Sequence, residues 1–358
     1  MKKNILHVFS GEYKTGNGIF TVIDSLFNTI NKNNYNCTLY CPAIKGNCEK
    51  INYKLIDSNK NTFGDVLSSE NYNLVVFHGV YFIDYLIKFF LCKKNNIPYF
   101  IKPHGSLVEA SLHKGRFKKI VFLKLGLKYF LNNSSGIFYI NNEEEKNSIK
   151  LKAISYIEPN LIRIETKFKK TESEKVRFLF FSRIDFNHKG LDFLLDGLNK
   201  IKNEFRDGIV VEFYGIGNEK PLKKLKDFIT NNNLEFVKFK GAVYTESEKI
   251  AMFSKSDILL LTSRYEGYPT VITEALSFGV PPIVTPGTNA LFLSENNIGW
   301  RSELDSTCIA NTMEKALVEF NENRSSIPLK CIDYVQNNFN TKKDIIKIEN
   351  LYKKLVNK

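Results

Sequence analysis

Two carboxylates, Glu266 and Glu274, are separated by the seven residues Gly-Tyr-Pro-Thr-Val-Ile-Thr, and their chemistry depends on what holds them. The apolar run Asp257-Ile-Leu-Leu-Leu-Thr262 reads as a buried strand, and Ser263–Tyr268 as the loop after it. Pro269 and Thr270 open a helix that carries Glu274 and stops at Gly279. Val280-Pro-Pro-Ile-Val-Thr285 is the next strand. Such a βαβ unit takes its ligands at the C-terminal ends of the strands, beside a helix N-terminus that favours phosphate. Glu266 in the loop and Glu274 one turn into the helix could then face one crevice. A first-turn glutamate that only complements the helix dipole is the alternative reading.

Cations stand in comparable places. Arg183 follows the strand Arg177-Phe-Leu-Phe-Phe-Ser182, and Lys189 precedes Gly190 and the helix Leu191–Ile201. Both could clamp a diphosphate near a helix end, although basic residues beside a loop are usually only solvated. Val210–Tyr214 is another strand and ends in Gly215-Ile-Gly217. Earlier in the chain, Leu74–His78 and Tyr99–Lys102 are strands that run into His78-Gly79 and Pro103-His104-Gly105. A histidine at a strand end can hydrogen-bond a ligand that approaches closely, and two at equivalent places point to binding. The strand Asn4–Phe9, a loop holding Gly16 and Gly18, and a helix from Ile19 form a possible phosphate cradle, although the glycines could serve only a tight turn.

At 358 residues the chain exceeds the ~250–300 at which single cores stop growing, so two domains are expected. The charged stretch Thr166–Lys175 is the best linker, and the two α/β halves would enclose a deep cleft. With 43% hydrophobic and 25% charged residues the chain reads as folded. No apolar run is long enough for a signal peptide or a membrane span, which gives the expectation of a cytoplasmic protein. The six cysteines include no Cys-x-x-Cys pair and read as free thiols. Net charge of +13 suggests anionic partners, although lysine-rich composition alone decides nothing. Residues 114–131 read as a helix with a core stripe of Ile120, Leu123, Leu127, Phe130 and Leu131. Its other side mixes Phe117, Val121, Phe122 and Leu125 with Lys118, Lys124 and Lys128, which suits an anionic membrane surface.

Taken together, Glu266-Gly-Tyr-Pro-Thr-Val-Ile-Thr-Glu274 resembles the E-x7-E motif of the retaining GT-B glycosyltransferases of family 4. Ser182-Arg183-Ile184 followed by His188-Lys189-Gly190 is similar to that family's G-R-[LI]…K-G segment, with Ser182 where glycine is usual. Glu158-Pro-Asn160 resembles its crossover, and Asn338-Phe339-Asn340 with the last helix its closing segment. The resemblance implies an α/β fold of two Rossmann-like domains: an acceptor domain at 1–165, a nucleotide-sugar domain at 166–337, and a helix at 338–358 that packs back on the first. It implies that Arg183 and Lys189 hold the donor diphosphate, that Glu274 binds the ribose and that Glu266 contacts the donor sugar. Gly16, Gly18, Gly215, Gly267, Tyr268, Pro269, Thr270 and Val271 would border the donor. His104 would sit beside the transferred sugar, with His78 and His104 toward the acceptor. The expected catalytic set is Glu266, His104, Arg183 and Lys189. The implied reaction moves a hexose-type sugar from UDP or GDP to a lipid-linked or oligosaccharide acceptor in bacterial polysaccharide assembly.

No metal or other cofactor is expected, because the chain has no Asp-x-Asp pair to hold a sugar-nucleotide metal. A nonenzymatic nucleotide-sugar-binding protein of the same fold is the alternative, but it would be expected to lose one of Glu266, Arg183 or Lys189. A dinucleotide oxidoreductase is excluded by the lack of a true G-x-G-x-x-G followed by an acidic residue. No nucleic-acid-binding motif occurs.

Overall fold

The computed structural model describes residues 2–11, 18–30, 35–42, 53–109, 126–161, 173–266, 269–288, 290, 292–339 and 342–357. The chain divides into two compact units, Met1–Ile162 with Asn340–Lys358, and Arg163–Phe339.

The first unit is built on seven parallel strands: β1 (Lys3–Val8), β2 (Tyr35–Cys41), β3 (Lys54–Asp57), β4 (Leu74–His78), β5 (Tyr99–Lys102), β6 (Gly136–Tyr139) and β7 (Ser155–Ile157). Their order is β3-β2-β1-β4-β5-β6-β7, so the winding reverses between β1 and β4. The central strands Leu-Val-Val-Phe-His and Tyr-Phe-Ile-Lys are buried throughout, as a parallel sheet covered on both faces requires. A charged pair lies in that interior. Lys102 is 1% exposed, and its Nζ donates to Glu158 Oε1 at 2.7 Å. Glu158 Oε2 accepts from Tyr352 Oη at 3.1 Å, so the last helix, Lys342–Val356, is tied to this buried pair. Ile348, Tyr352 and Leu355 of that helix pack with Phe20, Ile23 and Phe27 of the helix Gly18–Ile30 over one sheet face.

The second unit holds six parallel strands: β8 (Val176–Phe181), β9 (Ile209–Tyr214), β10 (Val237–Gly241), β11 (Ile258–Leu261), β12 (Pro282–Val284) and β13 (Trp300–Arg301). Their order is β10-β9-β8-β11-β12-β13, with the reversal between β8 and β11. In the helix Leu191–Lys200, Leu191, Leu194, Leu195 and Leu198 follow the helical period and are all buried. That helix lies close to the helix Ser306–Glu322, because a Cβ on Gly197 would come within 2.9 Å of the Ser306 carbonyl oxygen. The strand β3 and the helix Ser326–Asn338 carry no strong period in the sequence and were not expected from it.

Candidate functional site

In each unit the strand order reverses once. His78 in the first unit and Arg183, Lys189 and Glu266 in the second lie at or past the ends of strands beside the reversal, and His104 lies just past the adjacent β5. In the second unit, Lys189 Nζ and Glu266 Oε1 lie 2.5 Å apart, with both side chains largely buried. Ser263, just past β11, donates its hydroxyl to the same Glu266 oxygen at 2.5 Å. The Glu266 amide donates to the Gly287 carbonyl at 2.7 Å, which anchors the loop. Gly190 (φ +62°) makes this approach possible, because a Cβ there would collide with the Thr262 carbonyl. Thr262 Oγ1 in turn donates to the Lys189 carbonyl at 3.0 Å.

Arg183 follows β8 with its side chain 55% exposed. Its Nη2 donates to His188 Nδ1 at 3.1 Å and lies 3.1 Å from Asp185 Oδ2. His188 Nε2 donates to the Tyr265 carbonyl at 2.9 Å, and the two rings stack at 4.4 Å. Accepting at Nδ1 and donating at Nε2 is consistent with one neutral tautomer for His188. Arg264 completes the frame by pairing with both carboxylate oxygens of Asp192, at 3.0 and 2.5 Å, and donating to the carbonyls of Phe186 and Asn187. Burial alone would raise the Asp192 carboxyl, but the Arg264 hydrogen bonds and charge outweigh it and hold Asp192 below the ordinary range.

Glu274 belongs to a different pair. It sits in the helix Thr270–Ser277 and accepts from Lys249 Nζ at 3.0 Å; Lys249 also lies 3.2 Å from Glu246. Burial would lower the Lys249 ammonium, but Glu274 and Glu246 outweigh it and hold it above its ordinary value. Among the described residues Glu266 and Glu274 share no side-chain partner. The helix Thr270–Ser277 starts at Pro269, which offers no side-chain acceptor. Among the described residues no side chain caps its first turn, as Thr245 and Asp305 do for the helices they start. Gly215 has a backbone reason to be glycine, since a Cβ there would run into the Ser182 carbonyl. Gly18 begins the helix Gly18–Ile30. Gly16, Gly267, Tyr268 and residues 114–125 of the expected basic helix lie outside the described residues.

In the first unit three imidazoles form a chain. His7 Nδ1 and His78 Nε2 are 2.8 Å apart, and His78 Nδ1 and His104 Nε2 are also 2.8 Å apart. His78 is 0% exposed, and both its ring nitrogens face neighbouring imidazoles. His104 is half-buried at φ +51°, an uncommon backbone state for a non-glycine residue. Glu144 holds that turn: Oε1 accepts from the Gly105 amide at 2.5 Å and Oε2 from the Ile140 amide at 2.6 Å. Tyr85 Oη bridges the switch point, reaching the His78 carbonyl at 2.7 Å and the Val8 carbonyl at 3.2 Å.

Sequence reasoning missed His7, Glu144, His188, Lys249 and the Arg264–Asp192 pair. His188 was legible only as the neighbour of Lys189; each of the others has a partner 25 to 72 residues away that no local spacing signals. Among the described residues, no group of three or more His, Cys, Asp or Glu side chains is placed to hold a metal ion. No described helix is long and apolar enough to cross a membrane.

The two all-parallel Rossmann-like sheets are the architecture of the GT-B glycosyltransferases, and residues 163–300 match the family model for glycosyl transferases group 1. That matched stretch lies within the second unit. The chain is 28% identical over 264 residues to Protein CapJ of Staphylococcus aureus, covering 67% of this chain and 65% of CapJ. It is 27% identical over 248 residues to the uncharacterized glycosyltransferase MJ1178 of Methanocaldococcus jannaschii, covering 65% of this chain and 64% of that one. The match thus spans just under two thirds of the length of these relatives. Among solved structures, sucrose-phosphate synthase from Thermosynechococcus elongatus superposes with a TM-score of 0.76 at 15% identity over 99% of both chains. Anabaena HepE in complex with UDP-glucose gives 0.76 at 16% identity over 99% of this chain and 100% of that one. WaaG, a glycosyltransferase involved in lipopolysaccharide biosynthesis, gives 0.72 at 13% identity, covering 97% and 98%. At these identities the structural likeness is one of fold.

Proposed function

We propose that the protein is a retaining, metal-independent glycosyltransferase. It moves a hexose-type sugar from a nucleotide-sugar donor, a UDP-sugar before a GDP-sugar, to a lipid-linked saccharide acceptor in the assembly of a bacterial surface polysaccharide such as O-antigen or capsule. The observation that carries this reading is the Lys189–Glu266 pair at the C-terminal end of β11, with Arg183 after the neighbouring β8. An ammonium has three donors, so Lys189 can keep Glu266 and still bind a phosphate oxygen. Arg183, more exposed, supplies a second cation for the diphosphate, and the first-turn amides of Thr270 and Val271 a third contact. These groups are oriented before the donor arrives, so charge developing on the leaving diphosphate meets a preorganised field. The anomeric carbon–phosphate oxygen bond breaks while the acceptor oxygen bonds the same face of that carbon. The acceptor proton passes to the leaving phosphate, so no protein nucleophile is needed. Glu266 contacts the donor sugar, Glu274 the ribose, and His104 the transferred sugar. The choice of UDP is supported by the HepE structure, which contains UDP-glucose, and that of the pathway by WaaG's role in lipopolysaccharide biosynthesis. The protein works in the cytoplasm, peripheral to the inner face of the membrane. A thermal-shift screen of UDP, GDP, ADP and their sugars in EDTA tests the donor class. Stabilisation by a uridine nucleotide first, without a divalent metal, is expected; no response to any nucleotide would defeat the reading.

A further inference from the structure

The three-imidazole chain of the first unit has a direction, and the direction sets what His104 can do. Strand register puts His7 level with Val76 and His78 level with Lys102. Side chains of one strand alternate between faces, so His7 and His78 lie on one face of the sheet, and His104, two residues past the end of β5, continues the row through its contact with His78. His7 and His78 are both fully buried, and Phe27 closes over the His7 ring at 4.6 Å. Burial, with the nearby Lys102 ammonium, holds His7 down to about 3. Burial also holds His78 and His104 well below the ordinary imidazole value, so all three rings are neutral near pH 7.

A neutral imidazole carries one ring proton, so two hydrogen bonds in series leave two arrangements for the whole chain. In one, His7 Nδ1–H donates to His78 Nε2, and His78 Nδ1–H donates to His104 Nε2. In the other every bond is reversed, and His7 Nε2 must carry a proton. His7 Nε2 is buried and has no hydrogen-bond partner among the described residues. Buried N–H groups without an acceptor are rarer than buried acceptors without a donor, which selects the first arrangement. We infer that His7 and His78 are positioning residues that fix the tautomer of His104, so that Nδ1 carries its proton and presents a hydrogen-bond donor at the C-terminal end of β5. His104 then acts toward a ligand as a donor to an oxygen lone pair, not as a base. The backbone agrees with such a fixed group, because Glu144 locks the turn that holds His104 at φ +51°.

The inference rests on the reading of His104 as a ligand-facing residue, but its test needs no substrate and stands apart from the test of sugar transfer. The full chain is labelled with ¹⁵N-histidine, and long-range ¹H–¹⁵N correlations are recorded at pH 7.5. The five histidines, His7, His78, His104, His113 and His188, are few enough to resolve, and His104→Asn identifies the His104 signals. A single His104 pattern with Nδ1 protonated and Nε2 bare is expected. His7→Phe removes the anchor and should give His104 nitrogen shifts averaged between two tautomers; His78→Leu, which cuts the chain one ring nearer, should do the same. A protonated Nε2 or an imidazolium on wild-type His104 would overturn the inference, as would an unchanged His104 pattern in either folded variant.

Discussion

At the scale of single residues, the second-unit site is a set of matched charges in which each cation already has a carboxylate: Lys189 with Glu266, Lys249 with Glu274, Arg264 with Asp192 and Arg183 with Asp185. The sequence shows Glu266, Glu274, Arg183 and Lys189 as residues of the right type at strand and helix ends. It does not show who pairs with whom, because pairing depends on strand order: Lys189 and Glu266 are 77 residues apart and meet only because β8 and β11 are neighbours. His7 is less legible still, a polar residue in an apolar strand with nothing nearby in the chain to mark its partner. Its burial has a consequence for pH. The unfolded chain protonates histidine below about 6.5, whereas folded His7 and His78 do so only at lower pH. The stabilisation they lend is therefore complete above about pH 6.5 and is lost as pH falls toward their folded values. Each contributes a slope of ~1.4 kcal/mol per pH unit in that window. Urea melts at pH 7.5 and 5.5 should show the wild type losing stability more steeply than His7→Phe; equal slopes would contradict the assignment.

At the scale of elements, short pieces of chain are held by single side chains placed where two backbone ends meet. Glu144 is the clearest, since its two oxygens accept from two amides on different segments, Gly105 and Ile140. Glu144→Gln offers one carbonyl oxygen and one NH₂ to two N–H donors, so one amide loses its acceptor. A loss of ~1–3 kcal/mol in unfolding free energy is expected, and a loss below the error of the melt would show that the turn is held by other contacts. The main strands and their helices were readable because buried parallel strands are continuous apolar runs and the covering helices keep a 3.6 period. The helix Ser326–Asn338 was not, because only Cys331 and Val335 of it are fully buried and its stripe is too thin to stand out.

At the scale of the whole molecule, two Rossmann-like units share one chain, and the chain returns to the first unit at its end, where Tyr352 meets the buried Lys102–Glu158 pair. The net charge of +13 belongs to this scale. If it serves an anionic membrane, replacing Lys118, Lys124 and Lys128 with glutamine should weaken co-sedimentation with phosphatidylglycerol vesicles at low salt, by ~1 kcal/mol per lysine that reaches the surface. Equal sedimentation of wild type and variant would remove the membrane from the account. The central claim is that the second unit binds a nucleotide diphosphate at the Lys189–Glu266 pair, and calorimetric titration of UDP into wild type and Lys189→Ala tests it most directly. Loss of a charged hydrogen bond, ~1.5–3 kcal/mol, predicts at least a tenfold weaker Kd in a variant that still melts cooperatively. UDP that binds both proteins equally, or neither, would contradict the account.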